Sequence, residues 1–188
     1  MSKKNFKVTS IEDGKEYWIS RAHAVVGVII DDECNFLLER RGNGCPDYVG
    51  KLAFPCGYLD WGETRLEAVK REIFEELGIA LTPENSTIVE LNTVDDPKAD
   101  ARENIVTRYI ICYPNLKNEL DNIRNFIKST DERGGESEEV SEVVLFSAIE
   151  AHKLDDTEFA FNHKDLIEEI LNSKYIRYGE SSRDNHSS

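Results

Sequence analysis

The chain is short of positive charge. Its 188 residues carry 37 Asp and Glu against 23 Lys and Arg, a net charge of −14. That balance opposes non-specific attachment to nucleic acid or to an anionic membrane, so neither is expected as a partner. It leaves room for a nucleotide ligand, whose phosphates local cations can offset. Long apolar runs are missing too, and nothing approaches the roughly 20 residues of a membrane helix. The basic start, Met1–Lys7, leads into no apolar segment, so a secretory signal is not expected. Cys34, Cys45, Cys56 and Cys112 show no C-x-x-C spacing; they read as reduced thiols of a cytoplasmic protein. His23, His152, His163 and His186 have no partner spacing either and receive no role. No internal repeat is present. The length suits one domain, able to bury a core without staples.

What is abundant is acid, and at one place it is ordered. Residues 57–79 read GYLDWGETRLEAVKREIFEELGI. Thr64 and Glu67 form a T-x-x-E capping box, which starts a helix just after Glu63. Leu66, Val69, Ile73 and Leu77 recur at helical spacing as one apolar stripe, and Gly78 stands where a left-handed cap is wanted. Glu72 and Glu76, four residues apart, lie one above the other, with Glu75 on the adjoining arc. Three carboxylates within five residues repel one another unless a cation sits among them. A solvated acidic face is the other reading, and the glycines at both ends and Arg71 beside the acids weigh against it. With no Cys or His in the set, oxygen ligation suits Mg²⁺ or Mn²⁺ over zinc, copper or iron–sulfur.

Around this segment the pattern alternates between strands and helices. Phe6–Ser10 and Lys15–Ile19 suggest a hairpin around Asp13 and Gly14, as an N-terminal extension over residues 1–20. Ala22–Ile30 is a near-continuous β-branched run, as in a strand buried on both faces, with Phe36–Arg40 as its partner. Lys51–Cys56, Thr87–Val94, Arg108–Tyr113 and Glu142–Phe146 read as further strands. A final helix is expected near Asn162–Ser173, with Leu166, Ile167, Ile170 and Leu171 inward. Leu116, Leu120, Ile123 and Ile127 keep a helical period within a segment, 114–135, that reads as an insertion. It is either a helix on the sheet's edge or a lid or dimer contact. Residues 131–142 are too polar for a core and suit an acidic loop at the mouth of a site. The main domain spans 21–175, with a polar tail over 176–188.

Residues 57–79 match the Nudix box, G-x5-E-x7-R-E-U-x-E-E-x-G-U with U aliphatic, at all nine specified positions. The chain thus resembles the Nudix hydrolases from about Ala22 to Leu171. The resemblance implies an α/β (α+β) fold, a mixed β-sheet between helices with the box as loop–helix–loop. It implies Mg²⁺-dependent hydrolysis, with Mn²⁺ able to substitute, of a nucleoside diphosphate linked to another group. It also implies that the Gly57 carbonyl, Glu72, Glu75 and Glu76 form the metal shell. Glu72 is then ligand or water-activating base, and Arg71 and Glu63 orient the carboxylates. Many members take a further acid from a later loop; Glu138 is the choice here, among Glu136, Glu139 and Glu142.

The box is silent on substrate. Residues 95–109, DDPKADARENIVTRY, resemble the segment of ADP-ribose-type members, with Pro97 and a D-x-R element ending at Arg102. ADP-ribose or a nucleotide sugar therefore leads, ahead of a nucleoside triphosphate or dinucleotide. Trp18 is the first choice to stack a base, with Tyr17, Tyr58 and Trp61 behind it, and Arg40 or Arg41 to reach a phosphate. Trp18, Arg41, Tyr58 and Arg102 are the expected substrate contacts of a monomer or homodimer. Two other classes remain: a Nudix-fold sensor that binds without cleaving, and an isomerase using the Cys56 thiol.

Overall fold

The computed structural model describes residues 5–96, 102–131 and 139–173. β1 (Phe6–Thr9) and β2 (Glu16–Ile19) pair with each other alone, as a hairpin. The seven remaining strands make one sheet around β3 (His23–Ile30). β3 runs parallel to β8 (Ile105–Cys112) along its whole length, and β8 carries the antiparallel β7 (Thr87–Val94). On its other side β3 meets β4 (Phe36–Arg41) at only two residue pairs, Ile29 with Leu37 and Ile30 with Phe36. Beyond them the two strands part. β4 pairs with β9 (Val140–Phe146) and with β5 (Leu52–Ala53), while β3 takes up β6 (Cys56–Tyr58).

This fork corrects one expectation. Residues 51–56 are not a single strand, because the chain leaves β4 at Ala53 and joins β3 at Cys56. Pro55 at the crossing has no N–H for a ladder, and its carbonyl accepts from the Gly27 N–H at 2.9 Å. Gly57 thereby lies in a strand, opposite Val25, rather than in a loop.

Helices cover both faces of the sheet. α1 (Arg65–Leu77) begins on the expected capping box, Thr64 with Glu67, and ends at Gly78 with φ of 71°. α1 and α2 (Leu116–Asp131) pack over Val25, Ile29, Leu37 and Ile111; Leu116, Ile123 and Ile127 of α2 are buried in the same cluster as Val69, Ile73 and Leu77. On the opposite face, α3 (Ala148–Lys153) and α4 (His163–Asn172) cover Val26, Val28, Phe36, Leu38 and Ile110 through Ala151, Leu166, Ile167 and Ile170. Each such fully buried aliphatic side chain contributes about 1.5–3 kcal/mol. The inner stripe of α1 differs from the expected one at its first member. Leu66 is 42% exposed, and Ala68 and Glu76 are buried with Val69, Ile73 and Leu77 instead. The first turn meets the sheet through Arg65 instead, whose Nη1 donates to the Thr93 and Thr107 hydroxyls at 3.0 and 3.3 Å. α3, unforeseen, starts on a second capping box, Ser147 with Glu150.

Among the described residues no helix is long and apolar enough to cross a membrane. Of the acidic stretch 131–142, residues 132–138 lie outside the described residues, and with them Glu136 and Glu138. So do Pro97 and the tail 176–188.

Candidate active site

α1 brings its acids to the mouth of the fork. It can lie close to β3 because Gly27 has no side chain: a methyl carbon there would stand 2.7 Å from Ile73 Cδ1. Glu76 shares the inner face with Val69 and Ile73, and its Oε2 accepts from the Cys56 N–H at 3.2 Å. The Glu72 carboxylate lies against Gly57, where a methyl carbon would come within 2.1 Å of Oε1. Gly57 is therefore needed for the space it leaves to a carboxylate.

Arg71 is the fastener of the motif. Its Nε and Nη2 donate to Glu63 at 3.1 and 2.8 Å, and Nη2 also reaches the Tyr58 carbonyl at 2.9 Å. Nη1 donates to Glu72 Oε1 at 2.8 Å and to Glu75 Oε2 at 2.9 Å. The fork of a guanidinium fits such paired oxygens. These bonds hold Glu63 below the usual carboxylate range, and the surrounding acids raise Arg71 further. Glu63 also caps the loop by accepting from the Asp60 N–H at 2.6 Å.

Burial dominates the remaining acids. Glu72 is raised by desolvation, with Arg71 opposing, and Glu75 and Glu139 add to the rise. Glu76 is pushed well above its ordinary value by burial, then by Glu39, Glu72 and Glu139. Glu39 of β4 is part of this cluster and was missed in the sequence. It is 1% exposed, its carboxyl stands beside that of Glu76, and burial pushes it up to about 8 against the pull of Arg41. Its Oε2 is buried without a hydrogen-bond partner. Glu139, just before β9, is pinned by its carbonyl, which accepts from the Gly42 N–H at 2.6 Å.

These donors suit a hard divalent cation, which prefers oxygen and offsets clustered negative charge. A buried acceptor without a donor points the same way. Among the described residues, no three Asp, Glu, His or Cys side chains are already grouped as a cage. Arg71 draws Glu75 and one oxygen of Glu72 toward itself.

Glu72, Glu75, Glu76 and Glu139 open on a cavity of about 930 Å³ that Gly57, Tyr58, Arg71, Arg41, Arg102 and Phe161 also line. The Arg41 and Arg102 guanidinium carbons stand 5.1 and 5.4 Å from the Phe161 ring centre, and both arginines pair with Asp47. The Tyr58 hydroxyl accepts from Arg102 at 3.2 Å. Arg41, Tyr58 and Arg102 thus line one cavity. Trp18 does not join them; it stands 66% exposed on the hairpin beneath the Lys7 ammonium, and Tyr17 packs edge-on against Trp61. Arg40 turns outward to Glu142. Phe161 and His163 also line the cavity, though nothing in the sequence assigned them there. His163 is buried and lowered to about 3, by desolvation and then by Arg108 and Arg41, so it is neutral and accepts from the Phe54 N–H at 3.0 Å. The Cys56 thiol is pushed well above its usual value by burial and then by Glu76 and Glu39, which removes the thiolate an isomerase would need.

Residues 21–170 match the NUDIX domain family. The chain is 29% identical over 170 residues to an ADP-ribose pyrophosphatase of Methanocaldococcus jannaschii, covering 89% of this chain and 85% of that relative. In fold it is similar to a MutT/Nudix family protein from Listeria innocua, at a TM-score of 0.59 and 21% identity over 84% of this chain and 96% of that one. It is also similar to the NUDIX domain of Shewanella oneidensis NrtR, solved with ADP ribose, at a TM-score of 0.58 and 20% identity over 81% and 88%.

Proposed function

The chain belongs to the Nudix family, and from that premise we propose that it is a pyrophosphohydrolase acting on a nucleoside diphosphate linked to a second moiety. ADP-ribose or a related nucleotide sugar is the substrate, and a nucleoside monophosphate is one product. One observation carries the reading: a single cavity is lined both by Gly57, Glu72, Glu75, Glu76 and Glu139 and by Arg41, Arg102 and Phe161. Its volume, about 930 Å³, is in the range of clefts that engulf a nucleotide-sized ligand. The name of the archaeal relative and the ligand in the NrtR domain support the choice of ADP-ribose.

Mg²⁺, or Mn²⁺ in its stead, would be held by the Gly57 carbonyl, Glu72, Glu75 and Glu76. When bound, it screens the diphosphate and acidifies a water. Glu72, raised by burial, accepts a proton near neutral pH more readily than a free glutamate does. Clustered carboxylates titrate together, so the proton belongs to the set. Arg71 keeps Glu63, Glu72 and Glu75 in register through its bonds to all three. Arg41 and Arg102 face the substrate's anionic or hydroxylated parts, with the Tyr58 hydroxyl beside them. Water attacks one phosphorus, the anhydride P–O bond breaks, and the departing phosphate keeps the electron pair. Glu139 takes the part of the later-loop acid, next to Glu138, which lies outside the described residues.

The test is incubation with ADP-ribose and Mg²⁺, followed by phosphorus NMR. AMP and ribose 5-phosphate should appear and should vanish with chelator. ADP-ribose bound but left intact would make the chain a sensor instead.

A further inference from the structure

Glu39 stands outside the loop–helix motif, yet the fold delivers it to the same acids. Side chains alternate along β4: Leu38 belongs to the cluster under α4 and Leu37 to the cluster under α1. Glu39 therefore turns toward α1, where its carboxyl meets Glu76. Its strand neighbours across the pairings are Ala53 and Val143, both apolar and buried. A glutamate 1% exposed in such a strand is costly unless its oxygens are used. The neighbouring Glu76 carboxylate offers it no proton, and Oε2 of Glu39 is buried with no hydrogen-bond partner. The charged groups around it are Glu72 and Glu76 of α1, Glu139 beside β9 and Arg41 of its own strand, and Arg41 is already tied to Asp47. An acceptor short of a donor, enclosed among other acceptors, is what a cation would complete.

We propose that Glu39 is a further member of the cation-binding set, giving an oxygen toward the dication from the strand side. The inference rests on the metal-dependent reading above and adds to it a cation-binding residue that the motif does not contain. It makes the site two-sided: α1 supplies Glu72, Glu75 and Glu76, and β4 supplies Glu39.

The experiment measures Mn²⁺ binding directly, by calorimetry and by the electron paramagnetic resonance of the free ion, on the full chain with no substrate present. Glu39→Gln keeps the shape but removes the carboxylate that would bind the cation. Its Mn²⁺ affinity should fall about tenfold or more, the scale on which supporting groups act at metal sites. Glu39→Asp, which keeps a carboxylate, should restore part of that loss. A residue serving packing alone would leave Mn²⁺ affinity unmoved in Glu39→Gln, and that result, with wild-type binding intact, overturns this inference alone. Should the wild-type chain itself bind neither Mn²⁺ nor Mg²⁺, the metal reading beneath it falls as well. If Glu39→Gln does not fold, the decision passes to Glu39→Asp: weaker Mn²⁺ binding upholds the role, and unchanged binding overturns it.

Discussion

The Glu72 carboxylate occupies the space that a side chain on Gly57 would fill, with Oε1 2.1 Å from where a β-carbon would stand. The backbone at Gly57 is ordinary strand, so alanine is tolerated there by conformation. Gly57→Ala should therefore displace Glu72 and leave the sheet intact. A misplacement of about 1 Å costs about 10²-fold in rate. We expect that loss in kcat/KM, with the thermal midpoint within a few degrees of wild type; near-normal turnover would contradict the arrangement.

Arg71 ties Glu63, Glu72, Glu75 and the Tyr58 carbonyl together through three nitrogens. A lysine keeps the charge but offers one nitrogen. Arg71→Lys should lower kcat about ten- to a hundredfold, with circular dichroism unchanged, and extra Mg²⁺ should recover part of the rate. Full activity in this variant would show that the fork geometry is dispensable.

Cys56 lies in β6 next to Gly57, but its thiol is held far from ionisation by burial and by the neighbouring acids. Cys56→Ala should keep kcat within about threefold of wild type, since no nucleophile is lost. Loss of all turnover with folding preserved would return thiol chemistry to consideration.

His163 gives a pH signature. Its folded value is about 3, against about 6.5 in the unfolded chain. As pH falls below 6.5, the unfolded chain gains a proton that the folded one refuses, so stability drops on acidification. Between pH 7 and pH 5 this costs about 2 kcal/mol. Asparagine at 163 keeps an acceptor for the Phe54 N–H but cannot titrate. In urea unfolding at the two pH values, His163→Asn should lose about 2 kcal/mol less than wild type. Equal losses would mean the imidazole is not buried neutral.

Local chemistry was legible in the sequence where it is written within a few neighbouring residues. Thr64, Glu67 and Gly78 mark both ends of α1 because capping involves only adjacent residues. The strands over Thr87–Val94 and His23–Ile30 follow from their β-branched content. Glu39 was hidden because FLLER reads as a strand without saying which face meets α1, and the fork between β3 and β4 decides that. Leu66 kept the helical period, but it is Arg65 beside it that meets the sheet, through Thr93 and Thr107. Trp18 and Phe161 carry similar aromatic content; only the tertiary fold sends one to the hairpin and the other into the cavity. The six-residue α3 was missed although Ser147 and Glu150 announce its start, since so short a helix has no room for a period.

Glu76 sits in the same row of α1 as Val69 and Ile73, pressed toward β3 by the bare backbone of Gly27. Sliding that helix by one residue, about 1.5 Å, would carry the acids away from Cys56 and Gly57 along with the aliphatics. Drift in the interior of this protein is thus censored by its chemistry: a substitution that repacks Ile73 more tightly at the expense of helix register is lost as an enzyme before it is gained as a sturdier fold.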